Sequence, residues 1–322
     1  MTTIKYFFIF VLVTMFVILT VPKLSKFIFE TGLIPSDVRY GDLYKLSNLP
    51  QFKGDNSPCE KEKQTENPQV SLYILGDSFL EDGRVEKSDF PIGNYRYINW
   101  SDNEKIELDT TKSNILIIET VERHAREHLS KIIDNYDKNQ TENPKEKERL
   151  IEVINPDKLN LLFLNADFFL KIKEIKAELT LLLFNRTDSK VSLSATKKTL
   201  LYGLDTDSTK PNSSFSSIED SEIDSMISNL NKSEINFKKM GFDKIIFSII
   251  PNKTSICCQN DGEYNHLIER VQTNKNLKVP FIDAYNLMKN KDYFQVGDTH
   301  WNCEGQAAWL RLANARIFVN EK

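Results

Sequence analysis

Two short motifs at opposite ends of the chain carry the residue types of an acyl-transfer site. Gly76-Asp77-Ser78-Phe79 follows the apolar run Val70 to Leu75, and Gly297-Asp298-Thr299-His300-Trp301 lies over two hundred positions later. A serine hydroxyl is a poor nucleophile at neutral pH. It needs a base within hydrogen-bond reach, a group to orient that base, and donors where the oxyanion forms. Ser78 is the candidate nucleophile and His300 the candidate base. Asp298, two residues before the histidine, is the candidate orienter that fixes the imidazole tautomer. Gly76 allows a tight turn out of the strand, which aims the Ser78 N–H at the same space as its hydroxyl. Gly-Asp-Ser alone is a common surface turn. Its place after an apolar strand and the distal Asp-x-His set it apart.

Four further residues are candidates for substrate binding or site support. Glu119 and Arg123 are four apart at a strand-to-helix junction, a spacing that favours a supporting ion pair over substrate contact. Lys253 follows Pro251-Asn252 and either binds an anionic substrate or caps local carbonyls. Trp301 is expected to pack at the sheet edge, and Asn302 to cap the helix behind it. His124-Ala125-Arg126-Glu127-His128 has the H-x-x-E-H spacing of one zinc peptidase class. Both imidazoles share a helical face, but no third ligand is apparent, so no metal and no cofactor is expected.

These residues need elements to hold them. Val70 to Leu75, Asn114 to Ile118, Lys244 to Ile250 and Lys278 to Ile282 read as strands. Glu122 to Asn135, Leu159 to Leu183, Ser221 to Met240, Tyr264 to Gln272 and Glu304 to Val319 read as helices, and Thr199 to Tyr202 as a hairpin strand. Strands alternating with helices predict an α/β fold, with a parallel sheet covered on both faces. Ligands bind such sheets beyond the C-terminal strand ends, where Ser78 falls.

The 322 residues are 40% hydrophobic and 27% charged with a net charge of −4. That balance is globular, and without a clustered basic excess it excludes a nucleic-acid partner. No Cys-x-x-Cys pair occurs among Cys59, Cys257, Cys258 and Cys303. The adjacent Cys257 and Cys258 are not expected to bridge each other, and a bridge from Cys59 to one of them is open outside the cytoplasm. Tyr6 to Val21 is apolar apart from two threonines, with lysines on both sides and Pro22 closing it. It predicts an N-terminal transmembrane helix, short for a bilayer, kept as an uncleaved signal anchor. The expected division is an anchor over 1–25, a juxtamembrane segment over 26–68 and a catalytic domain over 69–322.

The two motifs together resemble the SGNH/GDSL superfamily of hydrolases and acyltransferases. More narrowly, they are similar to the branch containing the alginate O-acetyltransferase proteins of bacterial polysaccharide export. Ile117-Ile118-Glu119-Thr120-Val121-Glu122-Arg123 and Pro251-Asn252-Lys253 are similar to that branch's Glu-x-x-Glu-Arg and Pro-x-Lys elements. The resemblance covers residues 70 to 320, loosely between 136 and 240. It implies a three-layer α/β/α, flavodoxin-like domain with Ser78, His300 and Asp298 as the catalytic set. It further implies O-acetylation of a cell-surface or exported polysaccharide through an acyl-serine. The domain would be membrane-anchored and extracytoplasmic, supplied by a multi-spanning acyl-transport partner. The superfamily's Gly and Gly-x-Asn-Asp oxyanion blocks are not evident. Two alternatives therefore stand beside it: a carbohydrate esterase, and an inactive glycan-binding scaffold of an export complex.

Overall fold

The computed structural model describes residues 2–20, 41–43, 46–54, 59–60, 65–102, 105–134, 167–188 and 190–318. Helix α1 (Thr2–Thr20) precedes strands β1 (Val70–Gly76), β2 (Asn94–Asn99) and β3 (Ser113–Val121). Helices α2 (Glu122–His128) and α3 (Asp167–Phe184) follow, then strands β4 (Val191–Leu193) and β5 (Leu200–Tyr202). Next come α4 (Gly203–Thr206), α5 (Asp220–Met240), strand β6 (Lys244–Ile250), α6 (Lys253–Cys257) and α7 (Leu267–Gln272). Strand β7 (Phe281–Ile282), α8 (Ala284–Met288) and α9 (Cys303–Phe318) complete the order.

Five strands form one sheet in the order β2-β1-β3-β6-β7, and each neighbouring pair is parallel. β4 and β5 make a separate antiparallel hairpin. β1 and β3 are buried along almost their whole length, which explains their near-continuous apolar sequences. Alternate residues feed two cores. Tyr73, Leu75, Leu116, Ile118 and Phe247 pack against Met226, Leu230 and Phe237 of α5 and Ile268 of α7. Leu72, Ile74, Ile117, Ile246 and Ile250 pack against Met288 of α8 and Trp309, Ala313 and Ile317 of α9. The result is an α/β fold with helices on both faces of a parallel sheet.

The order of strand addition reverses at β1: β2 lies on one side of it and β3 on the other, all three parallel. In open parallel sheets this switch point leaves a crevice beyond the carboxyl ends of the strands. Asp77 and Ser78 leave β1 there, and Val121 hands β3 over to α2 there.

Several expectations change. β2 was not anticipated: Asn94–Asn99 is an edge strand with half-exposed, polar side chains, so it has no apolar run to mark it. The helix expected over Leu159 to Leu183 is seen as Asp167–Phe184, and 159–166 fall outside the described residues. A helix does form over Thr2–Thr20. Among the described residues, however, no helix is long and apolar enough to cross a membrane, which corrects the expected transmembrane span. At about 1.5 Å per residue this helix is about 28 Å long, and its first turn holds Thr2, Thr3 and Lys5. The apolar part is thus shorter than a hydrocarbon layer of about 30 Å.

The described residues of the expected juxtamembrane segment pack on later parts of the chain. Leu43, Leu46, Leu49 and Phe52 are buried against Val191 and Leu200, beside Ala177 and Leu181 of α3. Cys59 is bridged to Cys303 at the start of α9, not to Cys257 or Cys258. Those two adjacent cysteines pair with each other, against expectation.

Candidate active site

Ser78, Asp298 and His300 meet at the carboxyl end of β1. Ser78 Oγ lies 2.9 Å from His300 Nε2. On the other side of the ring, Nδ1 lies 2.6 Å from Asp298 Oδ1. The same carboxylate oxygen accepts the His300 backbone N–H at 2.8 Å, closing a tight local bend. An Nδ1–H donated to the carboxylate leaves the Nε2 lone pair facing the serine hydroxyl, the tautomer a general base needs. Burial pushes the Asp298 carboxyl up, but its bonds and charge pairing with His300 outweigh this and hold it well below the usual carboxylate range. The histidine and aspartate are buried, while Ser78 is half-buried and so reachable from solvent.

The strand end that carries Ser78 is braced on three sides. Glu119 Oε2 accepts the Asp77 N–H at 2.7 Å. Tyr97 of β2 donates its hydroxyl to the carbonyls of Gly76 and Asp77, at 3.0 Å each. Asp77 Oδ2 accepts the Val121 N–H at 2.8 Å. A Cβ at 76 would stand 2.8 Å from Glu119 Oε2, so a larger residue there would displace the carboxyl that holds the Asp77 N–H. Full burial, then the nearby Asp77 charge, push the Glu119 carboxyl well up, against the Asp77 N–H that it accepts. The Ser78 N–H has no acceptor among the described residues, which leaves it available as an oxyanion donor.

The other candidates fall into place around this centre. Arg123 does not pair with Glu119. Glu119 belongs to β3 and Arg123 to α2, so helical i,i+4 geometry does not apply. Arg123 instead forks onto Asp205, at 2.9 and 3.0 Å, and lies over the Tyr202 ring. Lys253 is buried and aims its ammonium at carbonyls of Leu200, Gln295, Val296 and Asp298, at 2.9, 2.5, 2.7 and 3.3 Å. It therefore caps the loop that delivers Asp298 and is not presented to a substrate. Burial draws its pKa down to about 7, against the pull of Asp298, Asp42 and Asp292. Trp301 is buried between Phe79 and Trp309, and it is Phe79 whose ring packs on His300, with centroids 4.7 Å apart. Asn302 accepts the Gly305 N–H at 2.9 Å as the cap of α9.

Sequence reasoning missed Asp42. Its N–H donates to Asp298 Oδ2 at 3.0 Å, and its carboxylate accepts both the N–H and the hydroxyl of Thr299. Asp42 Oδ2 lies 3.6 Å from His300 Nδ1. Burial and the adjacent Asp298 charge push the Asp42 carboxyl up. The approach is close because Gly41 faces Gly297: a Cβ on Gly41 would be 2.3 Å from the Gly297 carbonyl oxygen. Gly-Asp also occurs at 54–55 and 76–77, so the Gly41-Asp42 and Gly297-Asp298 pairs carried no local signal for this contact.

Comparisons with known proteins found no family model that matches the chain. No curated protein and no solved structure matched it either.

Proposed function

We propose that this chain is a serine-dependent acyltransferase of the SGNH type, acting through an acyl-serine at Ser78. The observation that carries the reading is the hydrogen-bonded chain Ser78–His300–Asp298, set at the switch point of a parallel sheet. His300 Nε2 takes the Ser78 proton as Oγ attacks an acyl carbonyl. The Ser78 N–H donates to the oxyanion, and His300 returns the proton to the departing oxygen. A second hydroxyl, activated by the same histidine, then takes the acyl group and frees the serine.

The proposed acceptor is a hydroxyl of a cell-surface or exported polysaccharide, and the proposed acyl group is acetyl. The Cys59–Cys303 bridge supports an oxidising, extracytoplasmic setting. An acetyl donor reaches that side only through a membrane, hence the proposed multi-spanning acyl-transport partner. Phe7, Phe10 and Val13 of α1 are exposed, which suits contact with the membrane surface.

The test is incubation of the chain with an activated acetyl ester, with Ser78→Ala alongside. The reading requires a burst of ester cleavage and an acetyl adduct on Ser78 in the wild type only. Equal release from both proteins, with no adduct, sinks it. A glycan acceptor in the same assay separates transfer from hydrolysis: acetylated glycan marks a transferase, acetate alone an esterase.

A further inference from the structure

Two histidines that the acyl chemistry leaves unused sit beside its nucleophile. His124 and His128 lie one turn apart on α2 and face the end of β1. In sequence they lack a third ligand; in the fold Asp77 stands in that position. Asp77 Oδ1 is 3.2 Å from His124 Nδ1. One donor atom from each of Asp77, His124 and His128 lies within 4.8 Å of the others.

We propose that Asp77, His124 and His128 bind a divalent transition-metal ion of the zinc type, one residue away from the nucleophile. The donor set selects the metal class. Two imidazole nitrogens and one carboxylate oxygen suit zinc and its first-row neighbours, whereas calcium and magnesium favour oxygen ligands. Zinc–ligand bonds of about 2.1 Å put neighbouring donors about 3.3 Å apart. Asp77 and His124 already stand at that separation. The remaining closure falls within the reach of His124, whose side chain is 39% exposed and not locked by packing.

Groups behind the ligands hold them in orientation. The Val121 N–H fixes Asp77 Oδ2 at 2.8 Å, leaving Oδ1 for the metal. The Thr120 hydroxyl lies 2.8 Å from His128 Nδ1. The Trp100 indole stacks on the His128 ring with centroids 4.0 Å apart. Such outer contacts fix ring plane and tautomer in metal sites. The three ligands also line a cavity of about 430 Å³, walled further by Asn99, Lys131 and Asp134. A three-ligand site leaves a coordination position for water or an oxygen ligand, and this cavity has room for it. Bound metal would tie the β1 turn to α2, and so fix the approach of Ser78 to His300. The neighbouring Asp42–Asp298–His300 group does not compete, because both ring nitrogens of His300 are already engaged.

The inference stands whether or not Ser78 carries an acyl group. The test uses the untagged full chain in detergent, stripped by chelator and titrated with zinc by calorimetry, with metal content measured directly. Cobalt is added in a parallel sample for its visible d–d absorption. The expected result is one zinc per chain, with affinity weakened about tenfold or more in His124→Ala. His300→Ala leaves zinc binding and the cobalt spectrum unchanged. Because His124 is partly exposed, its variant should melt like the metal-free wild type. At equal zinc, the wild-type midpoint should rise more than that of the variant. No zinc uptake, uptake unaffected in both His124→Ala and Asp77→Asn, or uptake abolished by His300→Ala each overturns the proposal. Acetyl-Ser78 formation, scored on the same samples, reports separately: a protein that takes up no zinc on titration yet still acetylates loses the metal site and keeps the acyl reading.

Discussion

At the scale of single residues, the site combines charges that have opposite relations to pH. Asp298 is held ionised, so Asp298→Asn removes the group that sets the His300 tautomer while keeping its shape. It is expected to lower acetyl-Ser78 formation by about 10³- to 10⁴-fold with little change in melting, read by mass spectrometry against a thermal scan. Glu122 shows the reverse behaviour. Burial pushes its pKa up to about 7, even though the Asn252 N–H and the Ser255 hydroxyl bond to its Oε2. A carboxyl raised in the folded state contributes stability that is full below the unfolded pKa, near 4.3, and lost as pH rises toward 7. Glu122→Gln keeps an acceptor for those donors and cannot ionise. It should therefore stabilise the protein at pH 7 relative to wild type by about 3 kcal/mol more than at pH 4.5. Denaturant midpoints for both proteins at the two pH values decide it, and a constant difference would remove Glu122 as a source of pH dependence. Ser78 and His300, which the fold brings together, were legible in sequence because each sits in a short local pattern. Asp42 and Asp205 were not, because their partners Asp298 and Arg123 are distant in the chain and nothing local announces the pairing.

At the scale of elements, sequence legibility follows burial. β1, β3 and β6 read clearly because a parallel strand covered on both faces is a continuous apolar run. α5 read clearly for two reasons: its apolar residues recur at helical spacing, and Gly241 ends it in the left-handed region at φ +109. β2 was illegible because only one edge of it pairs and its side chains stay half-exposed. The segment over 41–54 has no regular periodicity, so its docking on the site could not be foreseen. That docking turns on two glycines. Gly41 has φ +144, and a Cβ there would collide with the Gly297 backbone, which cannot rotate aside as a side chain would. Gly41→Ala is expected to push Asp42 off Asp298 and Thr299. Displacement of about an ångström at a catalytic base costs about 100-fold, so acetylation should fall by about that factor while the far-UV spectrum stays that of the wild type. Unchanged acetylation would mean that the segment does not position the base.

At the scale of the whole molecule, the site joins three parts of the chain: residues 41–43 with 46–54, the β1 turn at 76–78, and the loop at 297–303. Closing such long separations costs conformational entropy that grows slowly with loop length. Apolar burial of Leu43, Leu46, Leu49 and Phe52 offsets part of it. The covalent tie is the Cys59–Cys303 bridge, whose cysteines are 244 positions apart. One end follows the docked segment, and the other opens α9 three residues after His300. A cross-link that closes so long a loop acts mainly on the unfolded chain and is worth about 2–4 kcal/mol. Cys59→Ser should therefore lower stability by that amount, and a reductant should do the same to wild type without destabilising the variant much further. Cys257 and Cys258, being adjacent, close no loop, so Cys257→Ser should shift the denaturant midpoint far less. If Cys59→Ser and Cys257→Ser prove equally harmful, the long bridge is not what fastens the segment to the loop that carries Asp298 and His300. Packing at Gly41 and Gly297 would then have to hold that junction alone.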